Sequence, residues 1–291
     1  MRVSEAIRYV QGITRGVRRG QMFPPEGRVR AESAPGGSSV TPSRRSFNEL
    51  GHWEITEHHV PVEGLDRSLR VLQLSDVHLR GREPWVDALA DTVSEMRPDL
   101  LALTGDIVTR GFTEEAVDRL LGALPPAPLG RWAIMGNWEY WGGAPLDAWR
   151  ARLDRHGIGL LNNRAVDLGP IQLLGTDDWL AGRPDLAATF ANVTPNKPAL
   201  ALTHSPILFD RLARPPVRVV LSGHTHGGQV RVPFAGPFFL PRGSGAYPWG
   251  WYERDGVWLF VNRGIGWSVA PLRWRAPPEI AWITLDAPPT V

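Results

Sequence analysis

The chain has 291 residues, of which 43% are hydrophobic, so it is long enough to bury a substantial core. Its 32 basic and 30 acidic residues nearly balance, which gives no reason to expect nucleic acid as a partner. The lack of cysteine excludes disulfides and thiolate chemistry, so any bound metal must be held by nitrogen or oxygen ligands.

The first 50 residues differ in composition from the rest. Residues 1–19 place apolar side chains at helical spacing among arginines, which predicts a short basic amphipathic helix suited to a membrane surface. Packing of this helix on the chain's own domain is the alternative. Residues 23–43 are rich in Pro, Gly and Ser and predict a linker. We therefore predict helix and linker over residues 1–50 and one folded domain over residues 51–288.

A short segment inside this region, Ser43–Phe47 (SRRSF), resembles a twin-arginine export signal. Such a signal needs an apolar segment after it, and polar residues follow here, so we expect no export by this route. The sequence contains no run of about 18 apolar residues, which predicts no membrane-spanning helix. We expect a cytoplasmic protein, peripheral on the inner face of the membrane, with residues 1–19 as the contact.

From Trp53 onward, apolar runs alternate with helical stretches. Residues 84–96 have the spacing of a helix, and five continuous apolar runs predict strands buried on both faces. These predicted strands span residues 69–75, 100–105, 131–136, 199–204 and 217–223. The alternation indicates an α/β fold, in which ligands bind beyond the carboxyl ends of the strands.

Each of these predicted strands is followed by a side chain that can bind a metal. A lone Asp after a strand is usually a cap and a lone His usually a core residue, but five strand ends repeat the pattern here. Seven ligands are too many for one tetrahedral ion and suit two ions that share a carboxylate. The seven candidates are Asp76, His78, Asp106, Asn137, His204, His224 and His226.

Five short motifs, in this order, resemble those of the calcineurin-like metallophosphoesterases. They are SDVHL (75–79), LTGDIV (103–108), GNWE (136–139), LTHSP (202–206) and GHTHGGQ (223–229). The resemblance covers roughly residues 53–286. The sequence after the last motif is similar to a bacterial branch that contains envelope phosphodiesterases and a UDP-2,3-diacylglucosamine hydrolase of lipid A synthesis.

The resemblance implies a four-layer α/β fold, a β-sandwich of two mixed sheets flanked by helices, with two divalent ions (Mn, Fe or Zn) at one sheet edge. It implies that Asp106 bridges the ions and that a metal-bound hydroxide attacks phosphorus. The implied ligands of the first ion are Asp76, His78 and His226, and those of the second are Asn137, His204 and His224. The implied catalytic residues are Asp106, Asn137 and His204.

Trp138 stands where the family usually has a histidine that contacts the phosphate and helps to protonate the leaving group. An indole N–H donates one hydrogen bond but transfers no proton at neutral pH. One hypothesis is therefore a preference for pyrophosphate bonds, whose leaving group needs little protonation. The alternative is that His58, His59 or Arg263 supplies the proton. The residues that we expect to contact substrate are Trp138, Glu139, Gly227 and Arg263.

The sequence thus predicts a metal-dependent hydrolase, a phosphodiesterase or pyrophosphatase, that acts on a lipid-linked or envelope substrate such as UDP-2,3-diacylglucosamine. One alternative is a general phosphodiesterase with water-soluble substrates. The other is a non-catalytic scaffold of the same fold, against which the presence of all seven ligands argues.

Overall fold

The computed structural model describes residues 29–31, 34–42, 53–81, 83–143, 145–234, 236–268 and 271–289. The predicted helix over residues 1–19 and the Ser43–Phe47 segment lie outside these ranges. In the part of the chain that is described, no helix combines the length and the hydropathy needed to cross a bilayer.

The described residues form sixteen strands and six α-helices, with two short 3-10 helices at Pro206–Leu208 and His226–Gly228. The strands are β1 (Val29–Ala31), β2 (Ser38–Pro42), β3 (Glu54–Pro61), β4 (Leu69–Leu74), β5 (Leu100–Leu103), β6 (Arg131–Ala133), β7 (Ile158–Leu160), β8 (Arg164–Asp167), β9 (Gln172–Gly175), β10 (Ala199–Leu202), β11 (Val217–Ser222), β12 (Arg231–Val232), β13 (Gly236–Pro237), β14 (Gly250–Arg254), β15 (Val257–Val261) and β16 (Glu279–Asp286). The helices are α1 (Trp85–Ser94), α2 (Glu114–Ala123), α3 (Asn137–Trp141), α4 (Leu146–Arg155), α5 (Leu186–Phe190) and α6 (Phe209–Leu212).

Two seven-stranded mixed sheets face each other. The first has the order β2-β3-β16-β4-β5-β6-β7, and the second has the order β1-β14-β15-β11-β10-β9-β8. Strands β4 to β7 run parallel to one another, as do β9, β10, β11 and β15. Parallel strands end at a common edge, so the loops after β4, β5, β6, β10 and β11 are brought together.

The alternation of side chains along each strand divides the core into three layers of apolar contact. On β4, Val71 packs between the two sheets, whereas Leu72 and Leu74 pack against helices α1, α2 and α4. On β10, Leu200 and Leu202 fill the space between the sheets, while Ala199 and Ala201 face α6. Because both faces of each central strand are buried, the strands read as continuous apolar runs. The predicted four-layer α/β sandwich and its five site-bearing strands are confirmed.

The predicted linker is wrong for two segments of residues 23–43. Strand β1 pairs antiparallel with β14, and β2 pairs antiparallel with β3, so each forms an outer strand of one sheet. These pairings satisfy backbone N–H and C=O groups that a linker would leave to water. Edge strands need few apolar residues of their own, so a segment rich in Pro, Gly and Ser can form them although its composition is typical of a linker.

Gln73 fixes the two sheets to each other close to the ends of their strands. Its buried side chain donates from Nε2 to Thr104 Oγ1 in the first sheet (2.9 Å) and to the Ser222 carbonyl at the end of β11 (3.0 Å). A buried hydrogen bond across the sandwich sets the separation of the loops that follow β5 and β11.

Candidate metal centre

Seven polar side chains converge where five strands from the two sheets end. Six of them form two groups of three, and the ligand atoms within each group lie within 4.8 Å of one another. The first group, called here the first cluster, is Asp76, His78 and His226. The second cluster is Asp106, His204 and His224, and Asn137 begins helix α3 at the same edge.

The backbone at these positions adopts a conformation that side chains rarely permit. Asp76, His78, Asp106, His224 and His226 all have φ values between 51° and 74°. Such left-handed residues outside glycine are uncommon and cluster at functional sites, where the surrounding fold holds them in place. The loops are therefore built to aim these side chains inward at a cost in conformational energy.

In the first cluster, three ligand atoms surround a common point. His226 Nε2 lies 3.3 Å from Asp76 Oδ1 and 3.0 Å from His78 Nε2, and His78 Nε2 lies 4.0 Å from Asp76 Oδ1. Ligands bound at about 2.1 Å to one tetrahedral ion lie roughly 3–4 Å apart, so these separations fit a divalent ion.

The second cluster has similar spacing and oriented imidazoles. His204 Nε2 lies 3.2 Å from both Asp106 Oδ2 and His224 Nδ1. His204 donates from Nδ1 to the Thr104 carbonyl (2.8 Å), and His224 donates from Nε2 to the Arg242 carbonyl (2.7 Å). A carbonyl only accepts, so the outward nitrogen of each ring carries a proton, and the nitrogen that faces the cluster is the one that can bind a metal.

Asp106 and Asn137 supply the remaining evidence that the residues fit a pair of ions. Asp106 Oδ2 lies 3.6 Å from His78 Nε2 as well as 3.2 Å from His204 Nε2, so one carboxylate oxygen contacts both clusters. The Asn137 Oδ1 atom is buried without a hydrogen-bond partner among the described residues. An orphaned buried oxygen costs free energy unless something completes it, and a bound cation would do so.

Burial sets the protonation of the cleft. It lowers the pKa of His224 to about 4 and holds the pKa values of His78 and His226 well below their usual range. Burial also acts to lower the pKa of His204, but the adjacent Asp106 carboxylate outweighs it and the net shift is strongly upward. Burial raises the pKa of Asp106 to about 7. Three of the four imidazoles are thus neutral at pH 7 and available as ligands.

The sequence model of the calcineurin-like phosphoesterase family matches residues 69–228, more than half of the chain. The chain belongs to the calcineurin-like phosphoesterase family. This confirms the predicted family, and the chain is a metal-dependent phosphoester hydrolase.

Relatives of this phosphoesterase span most of its length. The metallophosphoesterase YkuE of Bacillus subtilis is 33% identical over 248 residues, which cover 80% of this chain and 86% of the relative. The UDP-2,3-diacylglucosamine pyrophosphatase LpxG of Chlamydia muridarum is 26% identical over 302 residues, covering 78% of this chain and 85% of the relative. Among solved structures, the phosphopantetheinyl hydrolase PptH of Mycobacterium tuberculosis matches with a TM-score of 0.42 and 13% identity, covering 66% of this chain and 88% of that one.

Glu139 of this phosphoesterase holds the ligand loops and does not face the cleft. The side chain is fully buried, and its oxygens accept hydrogen bonds from the backbone N–H groups of Asp106, Ile107 and Gly136 at 2.7–2.9 Å. The structure gives the Glu139 carboxylate backbone partners in the two ligand loops, and substrate contact by Glu139 stays a prediction. Glu139 is a positioning residue that ties the loop after β5 to the loop after β6.

Trp138 and Gly227 lie beside the first cluster. The Trp138 ring stands perpendicular to His78 with centroids 5.8 Å apart, and its backbone N–H donates to Asp106 Oδ1 (2.8 Å). Gly227 has φ of 59°, and a Cβ there would lie 3.0 Å from Arg263 Cγ, so a side chain would be both strained and crowded. Substrate contact by these two residues stays a prediction.

Arg263 is occupied by carboxylates of its own chain. It is 2.9 Å from both Glu54 and Glu279, and only 12% of its side chain is exposed. Burial acts to lower the pKa of Arg263, but Glu279 and Glu54 outweigh it and the net shift is upward. The two ion pairs and the raised pKa argue against Arg263 as the proton donor, and substrate contact by Arg263 stays a prediction.

The other two proposed proton donors lie at a distance from the clusters. His58 and His59 pair with Ile283 and Thr284 of β16, which in turn pair with Val71 and Arg70, the early part of β4. The remaining five or six residues to Asp76 correspond to roughly 16–20 Å along the chain. His58 packs between the sheets against Trp251, and His59 pairs with Asp286 at the surface. Neither reaches a substrate at the metal centre.

Sequence reasoning missed two residues that border the clusters. Asp178 is buried and accepts from Ser205 Oγ (3.0 Å), directly after the ligand His204. It follows the apolar strand β9 and so repeats the pattern that identified the other strand ends. Arg273 donates to His226 Nδ1 (3.1 Å), and burial lowers its pKa to about 9. No local pattern marks Arg273, since it comes from an irregular loop before β16.

Proposed function

We propose that this phosphoesterase hydrolyses the pyrophosphate or phosphodiester bond of a lipid-linked envelope substrate of the UDP-2,3-diacylglucosamine class. The observation that supports hydrolysis is the pair of three-residue clusters, with one oxygen of Asp106 close to an imidazole of each. Two divalent ions bound there, as Mn, Fe or Zn, would neutralise phosphoryl charge and activate water for attack on phosphorus.

In this proposal each ion has its own set of three ligands. Asp76, His78 and His226 form the first site, and Asn137, His204 and His224 form the second. Asp106 lies between them, within 3.6 Å of an imidazole of each cluster. In this proposal Asp106, Asn137 and His204 are the catalytic residues, because they border the reacting phosphoryl group from the second site.

We infer the type of bond that is cleaved from the lack of a proton donor for the leaving group. Trp138 takes the place of the family's usual histidine, and its indole transfers no proton. The three alternative donors are occupied or distant. His58 is buried against Trp251, His59 pairs with Asp286 at the surface, and Arg263 is ion-paired with Glu279. A leaving group that departs as a stable anion needs no proton, so a pyrophosphate or aryl ester bond suits this cleft better than an alkyl ester.

The lipid-linked part of the proposal draws on the relatives. LpxG, which matches over most of both chains, is by name a UDP-2,3-diacylglucosamine pyrophosphatase. That substrate combines a pyrophosphate bond with acyl chains. The first feature agrees with Trp138 standing where the family usually has a histidine that protonates the leaving group, and the hydrolysis screen tests the second.

The experiment is a hydrolysis screen of the purified chain loaded with Mn, Fe or Zn. The substrates are UDP-2,3-diacylglucosamine, an unacylated nucleotide sugar, an aryl phosphodiester and an alkyl phosphodiester, with Asp106→Asn as the inactive control. We expect the acylated nucleotide to be cleaved faster than the unacylated one, and the aryl diester about 10²-fold or more faster than the alkyl diester. Equal rates on both nucleotides would leave a general phosphodiesterase, and equal rates on both diesters would contradict the argument from Trp138.

A further inference from the structure

Two neighbouring segments carry most of the exposed large apolar side chains. Phe234 and Phe238 on the β12–β13 hairpin are 111% and 80% exposed, and Leu272 and Trp274 on the loop before β16 are 54% and 48% exposed. With Val232 they form what we call the apolar rim. In the described part of the chain, Trp141 is the sole exposed large hydrophobic side chain outside it.

Backbone hydrogen bonds join the two segments into one surface. Arg231 donates its N–H to the Trp274 carbonyl (3.0 Å), and Trp274 donates to the Gln229 carbonyl (2.8 Å). Phe238 donates to the Val230 carbonyl (2.8 Å), which closes the hairpin. The two segments that carry the apolar rim are therefore adjacent in the fold, and monomeric proteins seldom expose several large apolar side chains in one region of the surface without a function for them.

The apolar rim borders the metal centre. The hairpin begins just after the ligand His226, and a Cβ on Gly228 would lie 2.3 Å from Pro237 Cβ, so β13 packs on the ligand loop. Arg273, between Leu272 and Trp274, contacts His226 directly at 3.1 Å. Phe234 is eight residues from His226 and therefore within about 26 Å of it even along a fully extended path.

The charge around the apolar rim is one-sided. Residues 226–250 and 262–278 contain five arginines and no Asp or Glu, in a chain whose charges otherwise nearly cancel. Arg263 is neutralised by Glu54 and Glu279, which leaves four arginines and no acidic residue in these segments. Arg242 and Arg275 are exposed, and Arg231 is half-buried with its guanidinium over the Trp249 ring. Aromatic and aliphatic side chains flanked by arginine, with no acids, form the composition of segments that lie at an anionic bilayer surface.

Phe234 itself is held in an unfavourable conformation. It has φ of 65° in the turn of the hairpin, a region that bulky residues avoid, and its ring extends fully into solvent. Neither the strain nor the exposure benefits the isolated chain.

We propose that the apolar rim inserts into the headgroup region of an anionic phospholipid bilayer and so places the metal centre at the membrane surface. The inference rests on the proposed function in one respect, since a lipid-linked substrate would enter from that surface. A bilayer fits better than a protein partner because the most exposed side chain is at a protruding turn, whereas stable protein interfaces bury broad complementary faces.

The first test is co-sedimentation of the full chain with vesicles of phosphatidylcholine, with and without phosphatidylglycerol. We expect binding to the anionic vesicles, and at least a tenfold weaker affinity in the double variant Phe234→Ser, Phe238→Ser, because each buried phenyl ring contributes about that much or more. Trp141→Ser is the matched aromatic control and retains wild-type affinity. Arg242→Gln with Arg275→Gln weakens binding to the anionic vesicles, whereas Arg155→Gln with Arg164→Gln, exposed elsewhere, does not.

The second test locates the contact and uses the absence of cysteine. Phe234→Cys and, as control, the exposed Ala151→Cys on α4 each give one labelling site for an environment-sensitive fluorophore. We expect the emission at position 234 to rise several-fold and shift to the blue with anionic vesicles, and the emission at position 151 to stay constant. Equal responses, or vesicle binding that the Phe234→Ser, Phe238→Ser variant retains in full, would overturn the proposal.

Hydrolysis of a water-soluble aryl phosphodiester separates this inference from the proposed function. The Phe234→Ser, Phe238→Ser variant should keep that activity within about twofold, which also shows that it folds. Absence of vesicle binding in an active wild-type chain defeats the membrane proposal alone and favours a protein partner for the apolar rim. Vesicle binding without cleavage of UDP-2,3-diacylglucosamine supports the membrane contact and defeats the proposed substrate.

Discussion

The two ligand clusters contain the same kinds of side chains but are supported differently. In the second cluster, both histidines donate to backbone carbonyls, of Thr104 and Arg242. In the first cluster, His78 Nδ1 is buried with no hydrogen-bond partner among the described residues, and His226 Nδ1 faces the Arg273 guanidinium. The second cluster is fixed by hydrogen bonds, and the first by packing of rings and by the Asp76 contacts with Ser75 and His224.

This difference teaches that the two sites are not equivalent. A histidine ligand whose other ring nitrogen donates to an acceptor is oriented and made a better ligand. A guanidinium at that nitrogen instead stabilises the tautomer with its proton on Nε2, the atom that faces the cluster. We therefore expect the second site to bind its ion more tightly than the first, and the following variants test that ranking.

Asp106→Asn should have the largest effect, because one oxygen of Asp106 contacts both clusters. We expect kcat to fall by about 10³-fold or more, since this change removes the shared negative charge between the ions. Metal content by mass spectrometry should fall from two ions per chain to one or none.

Asp99→Asn is the control, because Asp99 lies before β5 at the opposite edge and accepts from Arg70 there. It should retain both ions and the wild-type kcat. Full activity in Asp106→Asn would mean that the two clusters work independently.

Glu139→Gln should weaken the second site selectively. Both Glu139 oxygens accept backbone N–H groups, so an amide NH₂ in place of one oxygen leaves a buried N–H facing another donor. We expect about 10–100-fold weaker binding of the second ion with little change at the first. Stepwise titration with a metal indicator checks this. Equal losses at both sites would contradict the selective effect and show that Glu139 acts through Asp106, which contacts both clusters.

His58 is a buried histidine outside both clusters and shows what burial does without ligands nearby. Burial lowers its pKa to about 4, against an ordinary value of 6.5. The unfolded chain therefore binds more protons between pH 6.5 and 4, so stability from this residue is present above pH 6.5 and is lost as pH falls toward 4. Between pH 7 and 5 the loss is about 2 kcal/mol, roughly 30-fold in the unfolding equilibrium.

His58→Asn, which keeps a polar group near Ser38 and Trp251, should remove this part of the pH dependence. The measurement is urea unfolding of the metal-free chain at pH 7 and pH 5, with wild type and variant compared. The cluster histidines titrate in both proteins and cancel. Parallel stabilities at the two pH values would show that His58 is not the group responsible.

Much of this centre could be predicted from sequence because the ligands sit at a repeated position. Asp76, Asp106 and His204 each follow an apolar strand and a short turn, so local pattern and sheet topology together bring them to one edge. Their division into two clusters needed the family resemblance, because strand ends alone do not specify distances. The positioning role of Glu139 and the ion pair of Arg263 with Glu54 were not predicted, because these contacts join residues far apart in the chain. Edge strands β1 and β2 were missed for a similar reason, since their pairing partners are 12 to more than 200 residues away.

Arg273→Gln should have the smallest effect of these variants. It tests the ranking of the two sites most directly, because it should strengthen ion binding at the weaker first site. Binding of an ion at His226 Nε2 requires the ring proton on Nδ1, where the Arg273 guanidinium presents only donors. A glutamine oxygen accepts that proton and removes a positive charge beside the ion, so the first site should tighten by about tenfold. Arg273→Met is the matched control, because it removes the same charge and the same bonds to the Gly266 and Ala276 carbonyls without offering an acceptor. Ion release to a chelator measures both variants. If the first site binds its ion more tightly in Arg273→Gln but not in Arg273→Met, the orientation of His226 explains the difference between the clusters. If both variants bind it more tightly to the same extent, the charge of Arg273 explains the difference. If neither does, the clusters differ for another reason.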